Sequence, residues 1–422
     1  MKKILLVTDN RYWREAIGSQ KRIAALCRHL EETHDLHVLF LGRPNADDAA
    51  KLAERQPAHE LDTEPGREVP SAVQTKAASP SLGASLRAVA KQLACNLRRG
   101  FQKTTVGRTE RRRFSLQIRE PKLADFERPQ WAARFRAACE RIQPDVVLVE
   151  YVRLAWLLPI YKRQQPQGLG LIDTHDVQYL RQALFHREGR IHDLDITAAE
   201  EAAALSQADA VIAIQSDDAR ALEQLVPDLP VLQVPHPQAI TPLALPGATG
   251  GLHLGFFGSS MAPNVDAARH LLKVLWPQIR AIHPDANLHL FGSVCEALAD
   301  VRNENGIEVR GFVAELAGAY AGLHVVLNPV SYGGGLKIKS VEALCFGRPL
   351  VTTPVGAQGM DDGAGTAFAM ATDDAGFIAQ TLDLLSATQA RETMAAAAIA
   401  FARTRFSPEH AFDPLDDFLR RS

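Results

Sequence analysis

Tyr332-Gly333-Gly334-Gly335-Leu336-Lys337-Ile338-Lys339-Ser340-Val341-Glu342-Ala343 lies between two apolar runs. Val325-Val326-Leu327-Asn328-Pro329 precedes it and Pro349-Leu350-Val351-Thr352-Thr353-Pro354 follows it. The order predicts strand, glycine loop, helix, strand. Glycines let a backbone approach a ligand closely and take positive φ. The first N–H groups of the following helix point back at the loop and favour an anion there. Lys337 and Lys339 add full positive charge, and Glu342, one turn on, is an acceptor able to hold sugar hydroxyls. Phosphate donors and a carboxylate acceptor at this spacing suit a nucleotide-sugar. A tight strand-to-helix turn with solvated lysines would carry the same glycines, so the rest of the chain has to choose.

Working outward, the carboxyl half repeats the strand and loop pattern. Leu252–Phe257 reads as a strand ending in the loop Gly258-Ser259-Ser260-Met261-Ala262-Pro263-Asn264. Asn264 is a suitable N-cap for a helix carrying Ala268, Leu271, Leu272 and Leu275. Asn287–Phe291 and Ile307–Val313 are further strands, and Val355-Gly356-Ala357-Gln358-Gly359 is another glycine loop. Ala367–Met370 reads as an edge strand, followed by helices near Asp374–Ser386 and Ala390–Arg403. Ser407-Pro408-Glu409 opens a last helix, with serine as cap and proline at the first position.

The amino half is built the same way. Ile4–Val7 is a strand, Asn10–Ser19 a loop, and Ser19 a candidate cap for the helix bearing Ile23, Leu26, Cys27 and Leu30. With the strand Leu36–Leu41 this makes a βαβ unit and implies a parallel sheet. Gly18 stands alone, and no acidic residue ends the second strand, so a dinucleotide fingerprint is not supported. A helix around Ala124–Ile142 precedes the strand Asp145–Glu150. Leu169–Asp173, Ala208–Ile214 and Val231–Val234 complete the set. His175 falls just past Asp173, on the edge where open α/β sheets bind ligands; either a structural hydrogen-bonding role or a functional one fits. The fold class is therefore α/β, with two doubly wound Rossmann-like domains facing across a cleft. The boundaries are 1–235, a proline- and glycine-rich linker at 236–250, a second domain at 251–405, and a final helix at 406–422 crossing back to the first domain.

Composition agrees. The 422 residues are 46% apolar and 23% charged, enough for two cores. A net charge of −2 gives no reason to expect nucleic acid as a partner. Five scattered cysteines suit a reducing, cytoplasmic compartment rather than a disulfide or zinc framework. The opening apolar run stops at Asp9, too early for a signal peptide or a membrane span. Residues 45–82 read as a long polar excursion. From Leu86 to Lys122, eleven Lys and Arg stand against two acids, with Leu86, Val89, Leu93, Leu97 and Phe101 on one helical face. Such a basic helical insertion suits peripheral attachment to an anionic membrane surface or a polyanionic acceptor. A solvated helix packed on the first domain has the same pattern.

The carboxyl half resembles the nucleotide-sugar domain of family 4 glycosyltransferases with the GT-B fold (glycosyl transferases group 1). The resemblance rests on Phe256-Phe257-Gly258 with Pro263-Asn264-Val265-Asp266-Ala267, on Gly311-Phe312-Val313, on Gly333–Ala343 with Cys345-Phe346-Gly347-Arg348-Pro349-Leu350-Val351, and on Val355–Gly359. In the amino half only the layout, Gly18-Ser19-Gln20 and the His175 strand end correspond. The resemblance implies sugar transfer from a nucleoside-diphosphate sugar to a glycan or lipid-linked acceptor, usually with retention, with no essential metal and no cofactor besides the donor itself. Polysaccharide or glycoconjugate biosynthesis, on the inner face of the cell membrane, would be its setting. Glu342 would hold the donor ribose, and Gly333, Gly334, Gly335 and Leu336 would approach the sugar and phosphates. Lys339 with Lys337 would neutralise the leaving diphosphate, and His175 would line the reacting face. Gly258, Ser259, Asn264, Gly311, Phe312 and Val313 would complete the donor seat, with Gly18, Ser19 and Gln20 on the acceptor side.

Two departures stand out. Many family members carry a second glutamate eight positions before the first, where this chain has Gly334. An Arg/Lys pair often found in the first βα loop of the second domain is replaced by Ser259, Ser260 and Asn264. A nucleotide-sugar epimerase on the same scaffold, or a non-catalytic nucleotide-sugar-binding protein, would share most of these features.

Overall fold

The computed structural model describes residues 1–15, 17–42, 48, 119–247 and 251–422. The basic segment 86–122 lies outside the described residues apart from 119–122, and the excursion at 45–82 lies outside them apart from Asp48.

Two parallel six-stranded sheets organise the chain. The first holds β1 (Lys3–Thr8), β2 (Asp35–Phe40), β3 (Val146–Glu150), β4 (Leu169–Asp173), β5 (Ala210–Ala213) and β6 (Val231–Gln233) in the order β2-β1-β3-β4-β5-β6. The second holds β7 (His253–Phe257), β8 (Asn287–Phe291), β9 (Ile307–Gly311), β10 (Val325–Asn328), β11 (Leu350–Thr352) and β12 (Ala369–Met370) in the order β12-β11-β10-β7-β8-β9. Strand order reverses between β1 and β3 in one sheet and between β7 and β10 in the other. Ligands of doubly wound sheets bind outside the carboxyl ends at such points. The glycine loop follows β10 and so sits on one of them.

Helices cover both faces of each sheet. In the first domain these are α1 (Gly18–Thr33), α2 (Pro129–Ile142), α3 (Leu158–Gln164), α4 (Gln178–Arg187), α5 (Ala198–Leu205) and α6 (Ser216–Leu225). The second has α7 (Ala262–His270), α8 (Trp276–Ile282), α9 (Leu316–Ala321), α10 (Ile338–Cys345), α11 (Asp374–Ser386) and α12 (Thr388–Arg405). The chain closes with α13 (Pro408–Ala411) and α14 (Asp413–Arg421). Strands covered on both faces need apolar side chains at every position. Leu5 and Val7 accordingly enter the core beneath α2, while Ile4 and Leu6 enter the opposite core with Ile23, Leu26 and Leu30 of α1. That second core also takes Phe412, Leu415 and Leu419, so α14 packs on the first sheet although it follows the second domain. Arg22 and Arg348, both fully buried, pin the connection between domains. Arg22 donates to the carbonyls of Val234 and Pro235, and Arg348 to those of Leu243 and Ala244.

Three local expectations are corrected. Ser19 is not a cap: α1 begins at Gly18, with Ile17 at the extended cap position. Asn264 is not a cap either, because α7 begins at Ala262 behind Met261 and uses Pro263 in its first turn. The stretch from Ala124 to Ile142 is not one helix. A short 3-10 turn at Leu123–Phe126 ends before Arg128, which is extended as a residue before proline prefers, and α2 starts at Pro129. No helix among the described residues is long and apolar enough to cross a membrane.

Candidate active site

The carboxyl edges of the two sheets meet at the starts of α1 and α10. A Cβ added to Gly18 would lie 2.8 Å from Ile338 Cγ1, so glycine is what lets the two helix starts touch. One turn into α1, Lys21 forms an ion pair with Glu342, and Tyr320 Oη lies 3.4 Å from the other Glu342 oxygen. Ser19 Oγ accepts from Asn10 Nδ2 at 3.3 Å, and Gln20 is half-buried beside it.

The glycine loop is held by its own lysine. Gly333 and Gly335 have φ of 110° and 70°, which side-chain-bearing residues rarely adopt. Lys337 Nζ donates to the carbonyls of Gly333, Gly334 and Gly335 at 3.2, 2.9 and 2.6 Å. It thereby closes the loop on itself. Lys339 points the other way, to Asn264 Oδ1 at 2.5 Å, with its ammonium 4.9 Å from the centre of the Phe256 ring. Asn264 Nδ2 in turn donates to Ser259 Oγ at 2.9 Å. Ser259, Asn264 and Lys339 are thus one hydrogen-bonded chain at the mouth of the loop. Both lysines are half-buried. Burial lowers Lys337 to about 8. Burial, and then the neighbouring charge of Lys337, lower Lys339 to about 7. Gly258 packs against Asn264, a Cβ there lying 3.2 Å from that of Asn264. Gly311 has φ of 76°, and Phe312 beyond it is 72% exposed, with Val313 half-buried beside it. Leu336 is half-buried next to the loop.

On the opposite wall, His175 and Tyr151 both have left-handed backbones, with φ of 61° and 70°. Their rings stack 4.1 Å apart at 11°. Non-glycine residues held there store strain and cluster at functional sites. His175 Nε2 is 2.5 Å from Glu150 Oε2, and burial raises the affinity of Glu150 for its proton. Glu150, Asp173 and His175 lie close enough to share a cation. Arg22 already engages both oxygens of Asp173, at 2.8 and 3.2 Å, and His175 and Glu150 engage each other. Among the described residues, Glu150 Oε1 is the oxygen of this group left without a partner. Between the walls lies a cavity of about 390 Å³ bordered by Asp176, Arg181, Asp218, Gly334, Gly335 and Gln358.

Residues 251–387 match the family model described as Glycosyl transferases group 1. They form a group 1 glycosyltransferase domain. No curated protein matches the chain. Among solved structures, the chain is similar over its full length to HepE from Anabaena in complex with UDP and glucose, at 14% identity and a TM-score of 0.64, covering 100% of both chains. Sucrose-phosphate synthase from Thermosynechococcus elongatus gives 14% identity and a TM-score of 0.66, covering 100% of this chain and 99% of that one. The lipopolysaccharide outer core galactosyltransferase WaaB gives 11% and 0.58, covering 100% and 99%. These likenesses extend beyond the group 1 glycosyltransferase domain and show the GT-B fold for the whole chain.

Around that domain, tertiary structure adds Lys21, Glu150, Tyr151 and Arg181 to the residues that the sequence singles out. Glu150 left a trace, as a charge ending an otherwise apolar strand. Lys21 left none, since one lysine in a helix resembles any other.

Proposed function

We propose that the protein transfers a sugar from a nucleoside-diphosphate sugar to a glycan or lipid-linked acceptor, with retention and without a required metal, in polysaccharide or glycoconjugate biosynthesis. The observation that carries this reading is the Ser259–Asn264–Lys339 chain at the start of α10, with Glu342 one turn along and His175 on the facing wall. Ribose hydroxyls donate to Glu342. The diphosphate lies at the start of α10, where free N–H groups and the Lys339 ammonium face it. As the bond from the anomeric carbon to the diphosphate oxygen breaks, its electron pair stays on that oxygen, and Lys339 stabilises the new charge. Retention requires the acceptor oxygen to add on the face from which the diphosphate leaves. The departing phosphate oxygen then lies within reach of the acceptor proton. His175, held by Glu150 and Tyr151, borders the transferred sugar. Lys337 shapes the loop and contributes charge from behind it. HepE complexes with UDP and with UDP-glucose make uridine donors the first to try.

The test is calorimetry with UDP and GDP, followed by turnover of labelled UDP-glucose, UDP-galactose, UDP-N-acetylglucosamine and GDP-mannose, with and without acceptor extracts. Binding of one nucleotide and acceptor-dependent transfer are expected. Failure to bind any of them, or a donor sugar whose configuration changes without acceptor, would overturn the proposal. The basic segment 86–122 would hold the protein to the inner membrane face, and salt-sensitive flotation with anionic liposomes is the corresponding measurement.

A further inference from the structure

We propose that Asp176, from the amino-terminal domain, is the carboxylate that reads the hydroxyls of the transferred sugar, in the space that the glycine loop leaves open at Gly334. The inference rests on the sugar-transfer reading above and names a residue which that reading does not assign.

Asp176 follows His175 at the end of β4, and its N–H donates to the Thr174 carbonyl at 2.7 Å, which fixes a tight turn. The turn aims the carboxylate across the cleft at the glycine loop. A Cβ added to Gly334 would lie 3.0 Å from Asp176 Oδ1 and 3.3 Å from Cγ and Cδ of Arg181. A Cβ added to Gly335 would overlap the same oxygen. Two residues of the first domain therefore fill the space where a side chain at position 334 would project.

The carboxylate has acceptor capacity to spare. Its side chain is only 17% exposed, and no side-chain or backbone donor among the described residues hydrogen-bonds to it. Its nearest cation is Arg181, with Nε 3.5 Å from Oδ2, too long for a strong hydrogen bond. Arg181 is drawn away by Asp193 and His192, each at 2.8 Å. The Lys337 ammonium faces the loop carbonyls instead. A carboxylate largely withdrawn from water gains from donors brought to it. The adjoining cavity of about 390 Å³ is where those donors would come from. A second nucleotide phosphate gains no net attraction there, because Asp176, Asp217 and Asp218 stand against Arg181 and Arg187 around the cavity. Neutral hydroxyls supply the hydrogen bonds without adding charge. Since Asp176 belongs to one domain and the glycine loop to the other, the sugar is read only when the two walls are together.

The experiment uses the full chain and whichever of UDP-glucose, UDP-galactose, UDP-N-acetylglucosamine or GDP-mannose it binds, with the matching nucleotide as control. Asp176→Ala is expected to weaken the nucleotide-sugar at least tenfold while the Kd of the free nucleotide stays within twofold. A residue serving only the fold would move both alike. Gly334→Glu in the Asp176→Ala background should recover at least fivefold of the lost affinity, since the nearer obstruction is then gone and the flexible Arg181 side chain alone has to move. Gly334→Glu alone, colliding with Asp176 and Arg181, should not exceed wild type. Asp176→Ala with unchanged nucleotide-sugar affinity, or with equal loss for both ligands, overturns this inference alone. A wild-type protein that binds no nucleotide or nucleotide-sugar overturns it together with the proposed function.

Discussion

Lys21 of α1 and Glu342 of α10 form an ion pair across the cleft, at the place where the proposed ribose would bind. The Glu342 carboxylate is almost fully buried and the Lys21 side chain a quarter exposed. Closing the cleft thus provides the carboxylate with a counter-ion until ribose hydroxyls arrive. Glu342→Ala should weaken UDP at least tenfold in calorimetry. Lys21→Ala should leave UDP within threefold of wild type or tighten it, because ribose no longer displaces an ammonium. Equal losses in the two variants would make Lys21 a donor ligand in its own right.

Lys339 sets a pH dependence. Burial and the charge of Lys337 bring it down to about 7, from an ordinary value of 10.5. A bound diphosphate favours the charged form and raises that value. At pH 8, nucleotide binding should therefore take up a proton, visible as a heat that depends on the ionisation enthalpy of the buffer. Affinity should be greatest at or below pH 7 and fall by up to about tenfold per pH unit above it, until the raised value of the complex is passed. Lys339→Arg, always charged, should flatten that fall. A wild-type affinity that does not change between pH 7 and 9 would remove Lys339 from the phosphate site.

Glu150 holds His175 in an unusual backbone conformation through one bond, with Tyr151 stacked on the other side. Glu150→Gln retains the shape and changes the bond. It should lower kcat by about tenfold to a hundredfold through misplacement of the imidazole. The Kd for UDP should stay unchanged, because UDP is held by the other wall. A parallel loss in UDP binding would show that Glu150 supports the whole cleft.

Leu415 is fully buried in the core of the first sheet, although it follows the whole of the second domain in the chain. Leu415→Ala should destabilise the protein by about 2–5 kcal/mol. Denaturant melts that follow the first domain should register the loss. An unchanged midpoint would place α14 off that core.

Much of this architecture is legible in the sequence for a physical reason. Parallel strands covered on both faces must be apolar at every position, so Val146–Val149 and Val325–Leu327 stand out without any knowledge of their partners. Gly333 and Gly335 are legible because φ of 110° and 70° leaves little alternative to glycine. Helix starts were less legible. Asn264 has the chemistry of a cap, but with Pro263 in its first turn the helix starts two residues earlier, at Ala262, and the freed side chain joins Ser259 to Lys339 instead.

The sequence by itself determined the two α/β domains, the glycine loop at a strand end, and a pair of lysines and a glutamate around a helix start. Each of these is a local matter of periodicity, φ or spacing along one element. Only the tertiary structure decided what those charges face. Lys337 and Lys339 are two residues apart at the start of a helix, so they point in different directions, one into the loop carbonyls and one to Asn264. Glu342 meets a lysine 321 residues away, and Gly334 meets Asp176 from the other domain. Such pairings depend on how two sheet edges close on each other, and no spacing within either domain encodes that.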